Sequence, residues 1–215
     1  VNSTNWTGLL NDNVQYWYNV SIYDNANNFN ITETRYITLI SNQAPQINIT
    51  YPLNITYVLD VTRINYTASD DNAVTYCWYS LDQGATNSTP IASCTNFTGL
   101  TSNEGSNTWR VYGNDSTGTL NSSTITFFKD TIFPQFTNHV KNISSPNEDQ
   151  AVQVNVTITE TNKNYTILEW NGATNYTVIP NVTDEYYFTI ILGNYTAHDS
   201  VIYYWYANDS AGNLN

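Results

Sequence analysis

The sequence predicts an all-β protein made of tandem copies of one β-sandwich, and three observations carry that expectation. Residues 23–30 (YDNANNFN), 114–121 (NDSTGTLN) and 208–215 (NDSAGNLN) align without a gap. Their aspartates, Asp24, Asp115 and Asp209, lie 91 and 94 residues apart, a spacing that marks repetition of a whole domain. Aromatic residues make up 14% and charged residues only 11%, so polarity comes from Asn, Thr, Ser and Tyr. Thr, Tyr, Val and Ile favour a pleated surface and Asn favours turns. No long apolar pattern of period 3.6 competes with this reading.

The middle copy is complete enough to read strand by strand. Residues 44–52 open it as an edge strand between Pro45 and Pro52, which cannot donate to further pairing. Ile64, Tyr66 and Ala68 alternate with Arg63, Asn65 and Thr67, a half-buried second strand. In the third, Val74, Tyr76 and Trp78 alternate with Thr75, Cys77 and Tyr79, and Trp78 is expected to be the large aromatic buried in the core. Asp82-Gln83-Gly84 turns the chain, and strands follow at 94–100, 108–113 and 124–128. About seven short strands in about 90 residues describe an immunoglobulin-like sandwich. No cysteine pair is spaced to join its second and sixth strands, so the core rests on aromatic and aliphatic side chains.

The sixth strand repeats in all three copies. Tyr18, Val20 and Ile22 match Trp109, Val111 and Gly113, and Tyr203, Trp205 and Ala207, with the period of two kept while large and small residues exchange. In the turn that follows, Asn27, Gly118 and Gly212 coincide; these residue types enter left-handed backbone at low cost, so positive φ is expected there.

The string Ala207-Asn208-Asp209-Ser210-Ala211-Gly212-Asn213 and the boundary Asp130-Thr131-Ile132-Phe133-Pro134 resemble the closing motifs of bacterial and archaeal Ig-like repeats of cell-surface proteins. The resemblance spans all three copies and implies spacers or building blocks of adhesins, stalks, filaments and surface layers. Phe133 departs from it, standing where the family usually has a small residue or proline.

The copies divide the chain into residues 1–43, a partial repeat holding the last three strands, 44–133, a complete repeat, and 134–215, a repeat lacking its final strand. The basis is that residues 4–9 match 95–100 at one end and Asn215 matches Asn121 at the other. With no initiator Met and no signal peptide, the chain reads as a processed product or an excised segment. Two explanations of its ends compete: a piece of a longer repetitive protein, or copies that complete one another between molecules. In the second, the edge at Val201, Tyr203, Trp205 and Ala207 accepts a strand from another chain. Repeated head to tail, that contact builds a filament.

A net charge of −12 with six Lys and Arg leaves no basic stripe for nucleic acid. No apolar run is long enough for a membrane-spanning segment. Eighteen Asn-x-Ser/Thr sequons occur, at Asn2, Asn5, Asn19, Asn30, Asn48, Asn54, Asn65, Asn87, Asn96, Asn114, Asn121, Asn142, Asn155, Asn164, Asn175, Asn181, Asn194 and Asn208. The 33 Asn and the Ser/Thr content give only about seven by chance. Covalent N-glycans and an extracellular location are therefore expected. Cys77 and Cys94 have no counterparts in the other copies, and they lack the companion ligands or nearby His of a metal pair or catalytic thiol. A disulfide between neighbouring strands is expected.

Acidic residues recur at one end of each copy. Asp70, Asp71 and Asp115 in the middle copy, and Asp130, Glu160 and Asp209 in the third, offer hard oxygen ligands for Ca²⁺ at the domain junctions. The plainer alternative is that Asp115 and Asp209 cap their own turns. His139, His198, Asp12, Asp60 and Asp149 sit in polar segments without a partner for acid–base or nucleophilic work, so no enzyme is expected and no other cofactor. Tyr16, Tyr23, Tyr36, Tyr79, Tyr112 and Tyr204 are expected on the face opposite the core, most as ordinary sheet coverage, with an inter-subunit surface, packing beneath glycans or a sugar-binding platform as the alternatives. These observations point to a structural extracellular protein whose partners are identical chains or flanking repeats. An adhesin segment binding a carbohydrate or protein is the alternative.

Overall fold

The structure, a computed structural model, describes residues 7–9, 13–147, 150–182, 184–191 and 200–215. Every regular element among them is a β-strand. Strand β1 (Val14–Tyr18) pairs antiparallel with β4 (Arg35–Leu39), and β2 (Ser21–Tyr23) with β3 (Phe29–Ile31). They make one two-stranded ribbon closed by the turn at Asp24. The first of the three strands expected in this copy falls largely on residues outside the description. Within the ribbon Val20 and Ile22 are exposed, although their counterparts Val111 and Ala207 are fully buried in complete sheets.

Seven strands follow: β5 (Gln46–Tyr51), β6 (Thr56–Tyr57), β7 (Arg63–Ser69), β8 (Val74–Ser80), β9 (Phe97–Thr98), β10 (Gly105–Asp115) and β11 (Leu120–Lys129). They form two sheets, β5-β7-β9 and β6-β11-β10-β8. Between them lie Ile64, Tyr66, Phe97, Trp109, Val111 and Phe127. Trp109 meets Phe127 edge to face at 4.9 Å, and Tyr66 stacks on Phe97 at 5.3 Å. The chain leaves the first sheet after cis Pro52 and crosses to the second through β6, which runs parallel to β11.

The expected parity of β8 is reversed. Cys77 is fully buried and Tyr79 packs onto Phe97 at 4.8 Å, so Cys77 and Tyr79 face the core, and a register shift at Asp115 brings Val74 onto it as well. Trp78 lies on the outer face, half-buried, stacked on Tyr112 at 5.4 Å. The tryptophan at the centre of this sandwich is Trp109.

The second sandwich contains β12 (Gln135–Lys141), β13 (Ala151–Thr159), β14 (Lys163–Trp170), β15 (Thr174–Thr177), β16 (Pro180–Val182), β17 (Glu185–Ile191) and β18 (Tyr203–Asp209). Its sheets are β12-β13-β17-β16 and β15-β14-β18, closed over Val154, Val156, Ile158, Leu168, Trp170 and Trp205. β10 is flanked on both sides, by β8 and by ten paired residues of β11. β18 pairs with β14 on one side; on the other, Ala207 exchanges backbone bonds of 2.9 and 3.0 Å with Asn215, and Asn208 bridges Leu214. Since Ala207 directs its N–H and C=O to that side, the period of two directs those of Tyr203 and Trp205 the same way.

Candidate functional site: two acidic junctions

The repeated aspartates each organise a tight turn. Asp24 accepts N–H bonds from Ala26 (2.8 Å) and Asn28 (2.9 Å). Asp115 accepts from Thr117 (2.9 Å) and Thr119 (2.7 Å), and Asp209 from Gly212 (2.7 Å) and Asn213 (2.9 Å). The matched residues Asn27, Gly118 and Gly212 have φ of 63°, 91° and 99°, as expected for the left-handed position of this turn. Burial works against the Asp115 charge, but bonds from Asn42, Thr119 and Thr117 outweigh it and hold its pKa down to about 2.

The Asp115 and Asp209 turns each meet the linker that enters their sandwich. In the first junction Asn42 Nδ2 donates to Asp115 Oδ2 and to Thr119 Oγ1, both at 2.6 Å. Asn72 Nδ2 donates to Asn42 Oδ1, and Ser116 Oγ donates to the Asn72 carbonyl at 3.0 Å. In the second, Asn162 Nδ2 donates to Asp130 Oδ2 (2.7 Å) and Ser210 Oγ (3.1 Å), and Ser210 N–H donates to the Asn162 carbonyl (2.9 Å). Asn213 Nδ2 reaches the carbonyls of Asp130 (3.0 Å) and Ile132 (3.2 Å). One step further on, Asn121 and Asn215 each donate Nδ2 at 2.8 Å to a linker proline carbonyl, Pro45 and Pro134 respectively.

The linker between the sandwiches is also held from the other side. Glu104 accepts from Thr131 N (2.6 Å) and Thr131 Oγ1 (3.0 Å), and Asp130 N–H donates to the Tyr57 carbonyl at 2.9 Å. Burial opposes the Glu104 charge, yet the Thr131 bonds and Lys129 keep its carboxyl below the usual range. Lys129 in turn binds Asp60 at 2.7 Å, which gives Asp60 an ion-pair role.

The two expected Ca²⁺ sets fare differently. Asp130, Glu160 and Asp209 come together, with one oxygen of each within 4.8 Å of the others. Asp130 and Asp209 are buried, and Glu160 Oε2 is enclosed without a hydrogen-bond partner. Among the described residues no ion pair reaches these three carboxylates. Asp70, Asp71 and Asp115 form no such group: Asp71 points to solvent, and the Asn42 amide already satisfies Asp115. Asp70 Oδ1 is enclosed and unpartnered too, but among the described residues three carboxylates converge in a way that suits Ca²⁺ only at the second junction.

Cys77 and Cys94 form a disulfide with Cα atoms 5.0 Å apart. Of the sequons, Asn19, Asn30, Asn48, Asn54, Asn87, Asn96, Asn142, Asn155, Asn164 and Asn175 are exposed, and Asn65, Asn114, Asn121 and Asn208 are half-buried. Asn181 lies on β16, and Asn2, Asn5 and Asn194 lie outside the described residues, as do Asp12, Asp149 and His198. His139 stands on exposed β12 beside Phe136. Tyr23, Tyr36 and Tyr204 are exposed as expected, whereas Tyr79 faces the core and Tyr16 is half-buried on the ribbon face of Val14 and Tyr18. Sequence reading missed the amides Asn42, Asn72, Asn162 and Asn213. The signal available was that Asn72 and Asn162 follow Asp70 and Glu160 at the same offset.

No family model matches the chain, and no curated protein matches it. Among solved structures, the N-terminal eight Ig domains of Down Syndrome Cell Adhesion Molecule align over 94% of this chain and 34% of that one, at 9% identity and a TM-score of 0.53. Fibronectin(III)-like modules of Clostridium thermocellum CbhA (12% identity, 79% and 88% covered, TM-score 0.37) align more loosely. So does a 1.5-MDa bacterial ice-binding adhesin (18%, 95% and 72%, 0.38). The fold class is an immunoglobulin-like β-sandwich. Among the described residues no helix is long and apolar enough to cross a membrane.

Proposed function

We propose that this chain is a structural component of an extracellular surface, in which glycosylated immunoglobulin-like sandwiches stand in series as a stiff stalk, surface layer or filament. The observation that carries this reading is the double grip on the linker: Glu104 and Tyr57 hold Asp130 and Thr131 from one sandwich, Asn162 and Asn213 from the other. A linker whose polar groups are bonded on both sides transmits force and orientation, whereas a solvated one lets domains swing. A divalent cation among Asp130, Glu160 and Asp209 would tighten the same joint. That a cell adhesion molecule shares the fold is in keeping with a surface role.

In this reading the units continue head to tail, through flanking repeats or identical chains, by a strand laid against β18. The N–H groups of Tyr203 and Trp205, which meet no partner among the described residues, would receive it. The adhesin alternative rests on a cleft of about 470 Å³ at the second junction, rimmed by Phe128, Ile132, Glu104, Asp130 and Glu160. It contains no tyrosine ring to stack on a sugar, so the structural reading takes precedence.

Hydrogen exchange on isolated chain and on native assembled material, imaged in parallel by electron microscopy, tests the proposal. The amides of Tyr203 and Trp205 should exchange much faster than those of Trp109 and Val111 in the isolated chain, and become protected in filaments or sheets. Equal protection in both samples, with only single particles on the grid, would end the assembly reading.

A further inference from the structure

The sequons are not equivalent, and the strand geometry sorts them. A sequon places its Asn and its Ser or Thr two residues apart, which is the side-chain period of a strand. In β5, Ile49 packs on the core while Asn48 and Thr50 are exposed. In β7 Tyr66 is buried between Asn65 and Thr67, and at β9 Phe97 is buried between Asn96 and Thr98. Each strand of the β5-β7-β9 sheet thus turns one sequon outward while its middle residue plugs the core. β13 repeats the arrangement, with Val156 buried between Asn155 and Thr157.

Three others are built into the turns and linkers of the junctions. Asn114 and Asn208 accept backbone N–H bonds through Oδ1 from Tyr76 (3.1 Å) and Tyr165 (3.2 Å), as the exposed Asn96 does from Tyr66 (3.1 Å), but they are half-buried and do so across the irregular step in each strand pair. Their middle residues are the turn aspartates, Asp115 and Asp209, and Ser116 and Ser210 tie to Asn72 and Asn162. Asn121 spends Nδ2, the atom that would carry a sugar, on the Pro45 carbonyl at 2.8 Å. Its Oδ1 accepts from Ser122 N–H, also at 2.8 Å.

We infer that N-glycans cover the outer face of the β5-β7-β9 sheet, at Asn48, Asn65 and Asn96, and the matching β13 position Asn155, while Asn114, Asn121 and Asn208 stay bare. The inference rests on the glycoprotein reading. Transfer joins Asn Nδ2 to the anomeric carbon of a sugar carried on a lipid phosphate. The carbon–oxygen bond to that phosphate breaks, the displaced amide proton ends on the carrier phosphate, and one N–H remains on the amide. At the strand positions the glycan extends into solvent. At the three junction positions it would have to share space with the linker, and chains so modified would not close the joint. The consequence is a two-faced first sandwich: sugar over one sheet, and over the other an outer face whose central strands β10 and β11 carry only the bare Asn114 and Asn121 beside the Trp78–Tyr112 stack and Arg110.

Site-resolved glycopeptide mass spectrometry on protein purified from its native source tests this. Sugar masses are expected at Asn48, Asn65, Asn96 and Asn155, and unmodified peptide at Asn114, Asn121 and Asn208. Sugar at any of those three at a level matching the strand sites overturns the inference and leaves the glycoprotein reading standing. So do bare strand sites beside occupied sequons elsewhere. A protein without sugar at any sequon overturns both.

Discussion

Opening the Cys77–Cys94 bridge, in a Cys77→Ala/Cys94→Ala variant, isolates a stabilisation that acts mainly on the unfolded chain. The two residues are 17 apart in sequence, and the loop-closure relation for that length gives about 3 kcal/mol at 25 °C. The native loop has other ties. Cys77 and Ile91 exchange backbone bonds of 3.0 and 2.8 Å, and Ser88 N–H donates to the Tyr79 carbonyl at 2.8 Å. Asp82 accepts from Thr86 N–H at 2.9 Å. Cys94 has φ of 46°, a conformation that burdens alanine as much as cysteine, so that cost cancels in the comparison. The variant should therefore keep its fold and lose most of the loop-closure term. With a urea slope of about 1–3 kcal/mol/M, its unfolding midpoint falls by about 1–3 M. Tryptophan fluorescence follows the transition, since Trp78 and Trp109 belong to this sandwich and Trp170 and Trp205 to the next. An unchanged midpoint would mean that the Cys77–Ile91 pairing already restrains the unfolded loop, and the reasoning fails. A chain that no longer folds would refute it from the other side, by making the bridge part of the native framework.

Two further outcomes follow from the junctions and turns. Asp115 and Asp82 both titrate near 2 in the folded chain, Asp82 chiefly through the hydrogen bond from Ser80, against an ordinary 3.8. Because their folded values lie below the unfolded one, their contribution is complete above about pH 4 and drains as pH falls toward 2. Thermal melts between pH 2 and 6 should show that slope, and Asp115→Asn should flatten it; a slope unchanged by the substitution sinks the assignment. Calcium should raise the melting temperature of the second sandwich, with the rise lost in Glu160→Gln and retained in Asp70→Asn. Equal melts in calcium and in chelator would remove the metal from the second junction.

The sandwich fold and the strand β18 were legible because each shows as periodicity. Alternation places Ile64 and Tyr66 inward on β7, and the match of Tyr203, Trp205 and Ala207 to Trp109, Val111 and Gly113 locates β18 without ambiguity. The reversed parity of β8 was not legible, because both faces of residues 74–80 carry large side chains. Val74, Tyr76 and Trp78 make as good an apolar stripe as Thr75, Cys77 and Tyr79, and only packing against Phe97 decides between them. β6 is two residues long and pairs in parallel with a strand some 70 residues away, so nothing local announces it. At the candidate site the carboxylates were visible as recurring acids, but the amides that distinguish one junction from the other were hidden in a background of 33 asparagines.

That background is itself part of how the chain works. An aspartate at the head of the turn has two oxygens to satisfy; the turn's own N–H groups take Oδ1, leaving Oδ2 for a neighbour. In the ribbon the neighbour is Asn28 Nδ2 (2.7 Å), in the first sandwich Asn42 Nδ2, and in the second Asn213 Nδ2 (2.7 Å). An amide can donate to the carboxylate and accept or donate again elsewhere, as Asn42 does with Asn72 and Asn213 does with the Asp130 carbonyl. A lysine or arginine could neutralise the charge but could not accept, and its long stem would have to be ordered in a crowded joint. With net charge −12 and few cations, asparagine is the residue that lets one turn motif be joined to a linker repeatedly, without a salt bridge at each joint. The second junction differs by presenting Asp130 where the first has no carboxylate. There Asp130 Oδ2 takes the Asn162 amide and Asp209 Oδ2 that of Asn213, and the carboxylate oxygen left without a donor is Glu160 Oε2.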